Sequence, residues 1–573
     1  MKINSTGLER IKLLISVILL ITVCFSIFHY TVEIREPWFG ELSAEHAQWL
    51  TGSTVKFATN WYQEGPLNLK FAMLENPKSV EFQNISSRAP YTSYPPGTII
   101  PIYLISELQG HKPTVATVMD YNLFNHFLIA LILGLTIFFF FRQLKIDMIN
   151  SFLFSLIPII LELLLPGPIY WFQNVFFSDQ AVILLFVLYI FLEILRDGMI
   201  GKNLRILNII QNLVLFIGFL TDWLFVFIAL TVYIKRIIDG EIVLRRKMSL
   251  ANIHSFLNDS LKYWIVPIIA VALFALQDYL LGGISNTITE FLIRTAASQT
   301  GAASLKNGLN IFLWYISNNY GEIGLILLLV SAAIFLLVTS IILFKIYKKQ
   351  NIGFDVFKIK KILYLIGMFI IPCVLQIYFF KNHSVVHEFS VLKFSVSIST
   401  VPLVLLPVLI FFLTENFMVK TFRSKFIILR NFFNKFKINP RLFIIFLLAF
   451  SATLGYVAYE FPQYKTLFPT PNNTYGIIGN SIQQNTGYND VVFSPDIEIP
   501  TNPPQQLSYS MKRVYQINST EDIKNKTNLL TGNYNIVVMF LKPPSNYWEK
   551  ILGNSTYVKD GRIYYYRINP NNI

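Results

Sequence analysis

Four stretches of this chain bring together side-chain types that could do chemistry. The first is PWFGELSAEHAQWLTGSTVKFATNWY (Pro37 to Tyr62), where Glu41 and Glu45 stand four residues apart. A carboxylate beside aromatic walls can have its pKa raised toward neutrality and act as a general base, although a solvated helix face would use the same residues. The second is Tyr94-Pro95-Pro96-Gly97, ahead of an apolar run to Leu108. Two prolines fix the start of a helix and can present its free backbone N–H groups to an anion, or simply begin the helix. The third is Ser178-Asp179-Gln180 at the start of an apolar run, where the helix dipole alone would favour Asp179. The fourth is KNHSVVHEF, from Lys381 to Phe389. If helical, it puts His383 and His387 on one face with Lys381 and Glu388 nearby, a set suited to clamping a phosphate more than to holding a metal, since no third metal ligand is evident.

Elements of several kinds must carry these stretches. In the first, Leu50, Thr54, Phe57, Ala58 and Trp61 recur at helical spacing while Glu41, Glu45, Gln48 and Gly52 fall elsewhere, which predicts an interfacial helix lying at a membrane surface with its acids wetted. The rest of the chain is dominated by apolar residues. Hydrophobic types make up 54% and charged types 14%, with 51 Phe, which excludes a soluble protein. The formal charge of +14 does not point to nucleic acid, because Lys and Arg cluster beside the apolar spans as the positive-inside rule expects. Cys24 and Cys373 both lie in apolar runs, so neither a disulfide framework nor a thiolate metal site is expected.

Eleven spans are predicted, near 11–30, 122–141, 151–165, 180–195, 206–220, 223–235, 263–281, 320–345, 362–380, 390–414 and 441–459. The first is an uncleaved anchor, long enough to cross and followed by no small-x-small cleavage site. With the N-terminus in the cytoplasm, every inside loop is basic: 142–145, 196–205, 235–247, 345–361 and 420–437. The long first loop (31–121) and the tail then share the outer face of what is expected to be the cell membrane. The Asn-x-Ser/Thr triplets at Asn84, Asn382, Asn472, Asn518, Asn525 and Asn554 fall on that side and lend this topology weak support. In the tail, strand-like runs at 490, 513, 534 and 562 alternate with a helical run at 519–530. The expected division is a transmembrane unit, 1–459, followed by a small α/β domain, 460–573.

The order of these parts resembles the GT-C integral-membrane glycosyltransferases, and most of all their protein O-mannosyltransferase and aminoarabinose transferase branch. That family's first-loop pattern is roughly Asp-Glu-Ala-x-Tyr, and Glu45-His46-Ala47-Gln48-Trp49 matches it in part. The resemblance implies that Glu45 is the catalytic acid-base residue, with Glu41 as the substitute. Tyr94-Pro95-Pro96-Gly97 resembles the family's Lys-Pro-Pro-Leu without its lysine, which leaves the donor phosphate to Tyr94, Arg88 or backbone groups. Asp179 resembles the acid that opens a span in the family. His387-Glu388-Phe389 resembles its His-Glu-Arg-Tyr loop, with the arginine's charge left to Lys381, Lys393 or Arg294.

The implied activity is transfer of a sugar, with inversion, from a polyprenyl (dolichyl)-phosphate donor to an acceptor hydroxyl on a protein, glycan or lipid. Glu45 would take the proton, His383, His387 and Arg88 would hold the phosphate, Asp179 would orient the helix or the sugar, and the tail would roof the cavity. No cofactor is implied and no carboxylate cluster demands a divalent metal. The expected partners are the lipid-linked donor, the acceptor and membrane lipids. A transporter or flippase, or a non-catalytic scaffold, are the rival readings. A transporter usually shows internal repeats and mid-membrane acids, whereas the acids singled out here sit at the outer rim.

Overall fold

The computed structural model describes residues 7–197, 199–242, 250–295, 305–348, 355–418, 438–470, 473–499, 502–528, 530, 533–553 and 555–568. The basic segment 420–437 and the asparagines 472 and 554 lie outside these residues. The chain is a mostly helical polytopic membrane protein with a small C-terminal mixed sheet. Among the described residues, eight helices are long and apolar enough to cross a membrane. They become nine if α5 (Met148–Leu164) and α6 (Pro166–Asn174), bent by 60° at their junction, count as one. Two of the eleven expected spans, 206–220 and 223–235, are the helices α8 (Gly201–Phe219) and α9 (Leu224–Ile238), which do not meet that length and hydropathy criterion. They form a hairpin whose turn, Leu220 to Trp223, packs into the protein.

Beside α2 (Trp49–Glu64) and α3 (Ile99–Gln109) of the first loop, the bundle uses α1 (Gly7–Arg35), α4 (Val115–Gln143), α7 (Ser178–Arg196), α10 (Leu250–Leu280), α12 (Leu305–Tyr347) and α13 (Val356–Phe379) as its long members. The apolar windows of α4, α7 and α13 are 61–67% buried within the protein, whereas those of α1, α10 and α12 are 17–22% buried and present most of their surface to lipid. The segment Glu388–Thr414 is the most enclosed, at 83%. It bends from a 3-10 turn (Glu388–Phe394) through a π-helical turn at Val401–Leu405. Irregular backbone at membrane depth is tolerated where protein surrounds it.

In the first loop β1 (Met73–Leu74) pairs with β2 (Pro90–Tyr91), and the tail holds β3 (Asp490–Ser494), β4 (Val514–Gln516), β5 (Asn535–Phe540), β6 (Tyr557–Asp560) and β7 (Ile563–Ile568). These five form one sheet in the order β4-β3-β5-β7-β6. β3 runs parallel to β4 and β5, and β7 runs antiparallel to β5 and β6. Alternate residues feed two cores, Val491, Phe493, Ile536 and Val538 on one face, Val492, Val537 and Met539 on the other. Val80, from the first loop, completes the first of these cores. The sheet and the first loop therefore share one apolar interior.

The first-loop helix differs from its expectation. α2 runs from Trp49 to Glu64, so Glu41 and Glu45 precede it in irregular backbone, and every residue from Leu50 to Trp61 is buried. On the face expected to be wet, Gly52 is covered by the helix Pro504–Ser510, whereas Glu45 is exposed. A Cβ on Gly52 would meet Pro504 O and Gln505 N at 2.7 Å. Left-handed backbone at Gly40, His46 and Ala47 (φ 82°, 44° and 59°) interrupts helical propagation upstream.

Candidate active site

α7 opens at Ser178, and Asp179 lies in its first turn, buried to 1% exposure. Its carboxylate meets Lys393 Nζ at 2.5 Å. Lys393 comes from the enclosed Glu388–Phe394 turn and is equally buried. A second buried acid, Asp222 in the α8–α9 turn, adds its field to the same ammonium and accepts hydrogen bonds from Leu224 N (2.7 Å) and Gln376 Nε2 (3.0 Å). Burial pushes the Asp222 carboxyl upward while Lys393 pulls it down. A charge buried this deeply persists only when paired.

His383 stands beside this group, with Nε2 4.0 Å from Asp179 Oδ2 and 3.3 Å from Tyr94 Oη. Arg294 Nη1 donates to His383 Nδ1 at 3.4 Å. Arginine can only donate, so Nδ1 accepts and the ring proton of neutral His383 sits on Nε2. Burial and the charges of Arg294, His387 and Lys393 hold the His383 pKa well below the ordinary histidine value. Arg294, the last residue of α11 (Ile284–Arg294), places its guanidinium 4.6 Å from the Tyr94 ring centroid. The resulting group of Arg294, Tyr94 and His383 has a cationic fork, a phenol and an imidazole on one side of Asp179.

His387 continues the cluster toward the surface. Its ring lies 4.6 Å from that of His383, stacks on Phe389 at 4.9 Å, and faces the 37%-exposed ring of Trp49 at 6.3 Å. Burial lowers the His387 pKa too. Next to it Glu388 reaches His46 Nδ1 at 3.9 Å and accepts from Asn319 Nδ2 at 3.2 Å. The nearby Glu388 carboxylate raises the His46 pKa against partial burial, and the charge of Glu45 acts in the same direction. Glu45 is exposed at this rim.

The segment bearing Glu45 is held by many contacts. Tyr170 Oη donates to His46 O (3.0 Å), Gln48 Nε2 donates to Tyr170 Oη (3.3 Å), and Gln48 Oε1 accepts from Ser43 N (2.7 Å). Two consecutive non-glycine residues in left-handed backbone, His46 and Ala47, cost about 1–3 kcal/mol each and persist only where surroundings enforce them.

A chain of contacts thus runs from Glu388, beside His46 and the exposed Glu45, through His387 and His383 to Tyr94, Arg294 and Asp179. Three other expected residues lie apart from it. Arg88 is buried elsewhere, donating to Glu64 Oε1 (2.7 Å), Asn60 Oδ1 (2.9 Å) and Asn76 O (2.9 Å), so its donors are engaged in joining α2 to the first loop. Glu41 borders a small recess with Trp38, Leu42, Ser43, Gln48, Pro469 and Thr470, and its charge acts on Tyr509. Lys381, at the start of α14 (Lys381–Val386), borders an otherwise largely apolar cavity of about 280 Å³ whose wall includes Leu309, Phe312, Val374, Ile377 and Phe394.

One N–H that the Pro-Pro element could offer an anion is already engaged. Gly97 N donates to Leu220 O at 2.7 Å, and a Cβ at position 97 would lie 2.3 Å from that oxygen. The absence of a side chain at Gly97 is what lets residues 94–97 dock on the α8–α9 turn, which Trp223 Nε1 also holds through Ser93 O (3.2 Å). The docking fixes Tyr94 in place. Among the described residues, no group of three or more His, Cys, Asp or Glu side chains is arranged to hold a metal ion.

Sequence reasoning held Lys393 only in reserve and passed over Asp222, His46 as a partner of Glu388, and Tyr170. A lysine inside an apolar run and an aspartate between two apolar runs were available signals, since ionisable groups at such places are functional or paired by default.

No protein-family model matches the chain, and no curated protein matches it in sequence. Solved structures do match. ArnT from Cupriavidus metallidurans bound to undecaprenyl phosphate superposes with a TM-score of 0.51 at 9% identity, covering 97% of this chain and 98% of that one. The apo oligosaccharyltransferase from Archaeoglobus fulgidus gives a TM-score of 0.50 at 9% identity, covering 91% of this chain and 69% of that one. At such identity the likeness is one of fold alone, a GT-C-like helical membrane protein with a small C-terminal mixed sheet.

Proposed function

We propose that this chain is a membrane glycosyltransferase that moves a sugar, with inversion, from a polyprenyl-phosphate donor to an acceptor hydroxyl on a protein, glycan or lipid. The observation that carries the reading is the chain of contacts from the rim, where Glu45 is exposed beside His46 and Glu388, to the Arg294–Tyr94–His383 group. A solvent-reachable carboxylate stands at one end and an anion-binding fork at the other, as a displacement at carbon between an acceptor and a phosphate requires. The division of labour takes 1–459 as the catalytic membrane unit and 460–573 as an extracytoplasmic unit, with the N-terminus in the cytoplasm and the site on the outer face of the cell membrane.

In the reaction, the acceptor oxygen attacks the anomeric carbon from the side opposite the phosphate. The bond from that carbon to the phosphate oxygen breaks, and the phosphate leaves with its electron pair. The acceptor proton passes to Glu45. Arg294 neutralises the growing charge on the phosphate, and Tyr94 Oη, which accepts from His383 Nε2–H, directs its own proton to a phosphate oxygen. Neutral His383 suits this role, because it donates through Nε2 without adding a competing cation. Asp179 and Lys393 fix the floor of the site. The apolar cavity beside Lys381 offers a place for the first part of the lipid chain.

The test is incubation of membranes containing the protein with labelled sugars on polyprenyl phosphates and a crude acceptor extract. Label in a product no longer attached to the polyprenyl phosphate carrier supports the reading. Label that only changes leaflets, with the donor intact, would support a flippase instead.

A further inference from the structure

Residues 40–48, which hold both loop acids, are clasped from the tail. Tyr509 Oη donates to Gly40 O at 3.3 Å, and Gln505 Nε2 donates to Ser43 O at 3.0 Å. Both donors lie on the helix Pro504–Ser510, four residues apart and so on one face. Ser43 passes the constraint on, since its Oγ accepts from Glu45 N (3.2 Å) and its own N–H donates to Gln48 Oε1 (2.7 Å). The clasp has little freedom to slide. Gly52 of α2 sits against the backbone of Pro504 and Gln505 so closely that no side chain fits between them, and Gln505 is 3% exposed.

We propose that Gln505 and Tyr509 are positioning residues for the Glu45 carboxylate, which makes the C-terminal unit a working part of the catalytic site as well as its cover. This rests on the reading of Glu45 as the base. A base must stand within hydrogen-bond reach of the proton it takes, and an error of about 1 Å can cost about 100-fold in rate. The left-handed turn at His46 and Ala47 does not hold that position unaided. The donor anchor hangs on other contacts, those of α11, α14 and residues 91–97. Loosening the clasp should therefore change the chemical step and spare donor binding.

The experiment is a double-mutant cycle on the full-length protein, with kcat, donor KM and thermal midpoint measured for Gln505→Leu, Tyr509→Phe and each combined with Glu45→Gln. Gln505→Leu should lower kcat by about 10- to 100-fold with donor KM within about twofold. Tyr509→Phe, which removes only a hydroxyl, should lower kcat less and provides the same cycle if Gln505→Leu does not fold. In the Glu45→Gln background neither should lower the rate further. Equal losses in both backgrounds, or an unchanged kcat in the single variants, would overturn the proposal. Wild-type activity in Glu45→Gln would instead fault the base assignment beneath it.

Discussion

The guanidinium of Arg294 lies 4.6 Å from the ring centroid of Tyr94. The cation comes from the end of α11, and the tyrosine ring is its platform. Arg88, six residues before Tyr94, is committed to Glu64, Asn60 and Asn76. The two arginines should therefore separate in experiment. Charge-assisted hydrogen bonds of about 1.5–3 kcal/mol set the loss for Arg294→Ala at about 10- to 100-fold in donor affinity, with modest loss of stability. Arg88→Ala should lower the thermal midpoint and leave donor affinity nearly unchanged in the protein that remains folded. Titration of each variant with polyprenyl phosphate, beside a melting curve, checks both.

The Asp179–Lys393 pair predicts a stability effect. Lys393→Met leaves Asp179 and Asp222 buried without their cation, a change that costs about 3–5 kcal/mol. Lys393→Met combined with Asp179→Asn should recover a measurable part of this loss, because the second change removes one stranded charge. Unfolding in mild detergent compares the three proteins.

The tie between His46 and Glu388 should make the rim sensitive to pH. The His46 pKa is raised in the folded protein, so the stabilisation from this pair is fully present below the ordinary histidine value and is lost as pH rises through the raised one. Melting temperature should fall across that window in the wild type, and fall less in His46→Gln. His383 is shifted the other way, and its contribution is lost as pH falls below the ordinary value toward the lowered one. His383→Gln should flatten the acid side of the curve.

Much of this arrangement was readable from the sequence, and the failures have physical causes. The apolar runs gave the membrane bundle because the bilayer imposes length and hydropathy on any span. Four strands of the tail stood out as β-branched and aromatic runs, while β6, with its exposed Tyr557 and Val558, did not. The Glu41–Glu45 helix failed because its period was carried by residues after Trp49, and because the cover over Gly52 comes from a helix more than 450 residues away. Arg88 was legible as a cation and not as a clamp, since Glu64, Asn60 and Asn76 converge on it only in the folded loop. Lys393 and Asp222 are far apart in sequence and meet through the bend of 388–394 and the α8–α9 turn, which no local pattern announces.

The most direct test of the central claim is the rate of sugar transfer by purified wild-type protein, Glu45→Gln and Glu41→Gln, from a polyprenyl-phosphate sugar that the wild type accepts. A general base contributes about 10²- to 10⁴-fold, so Glu45→Gln should lose activity on that scale while binding donor normally, and Glu41→Gln should stay within a few-fold of wild type. Transfer by Glu45→Gln at the wild-type rate would contradict the account.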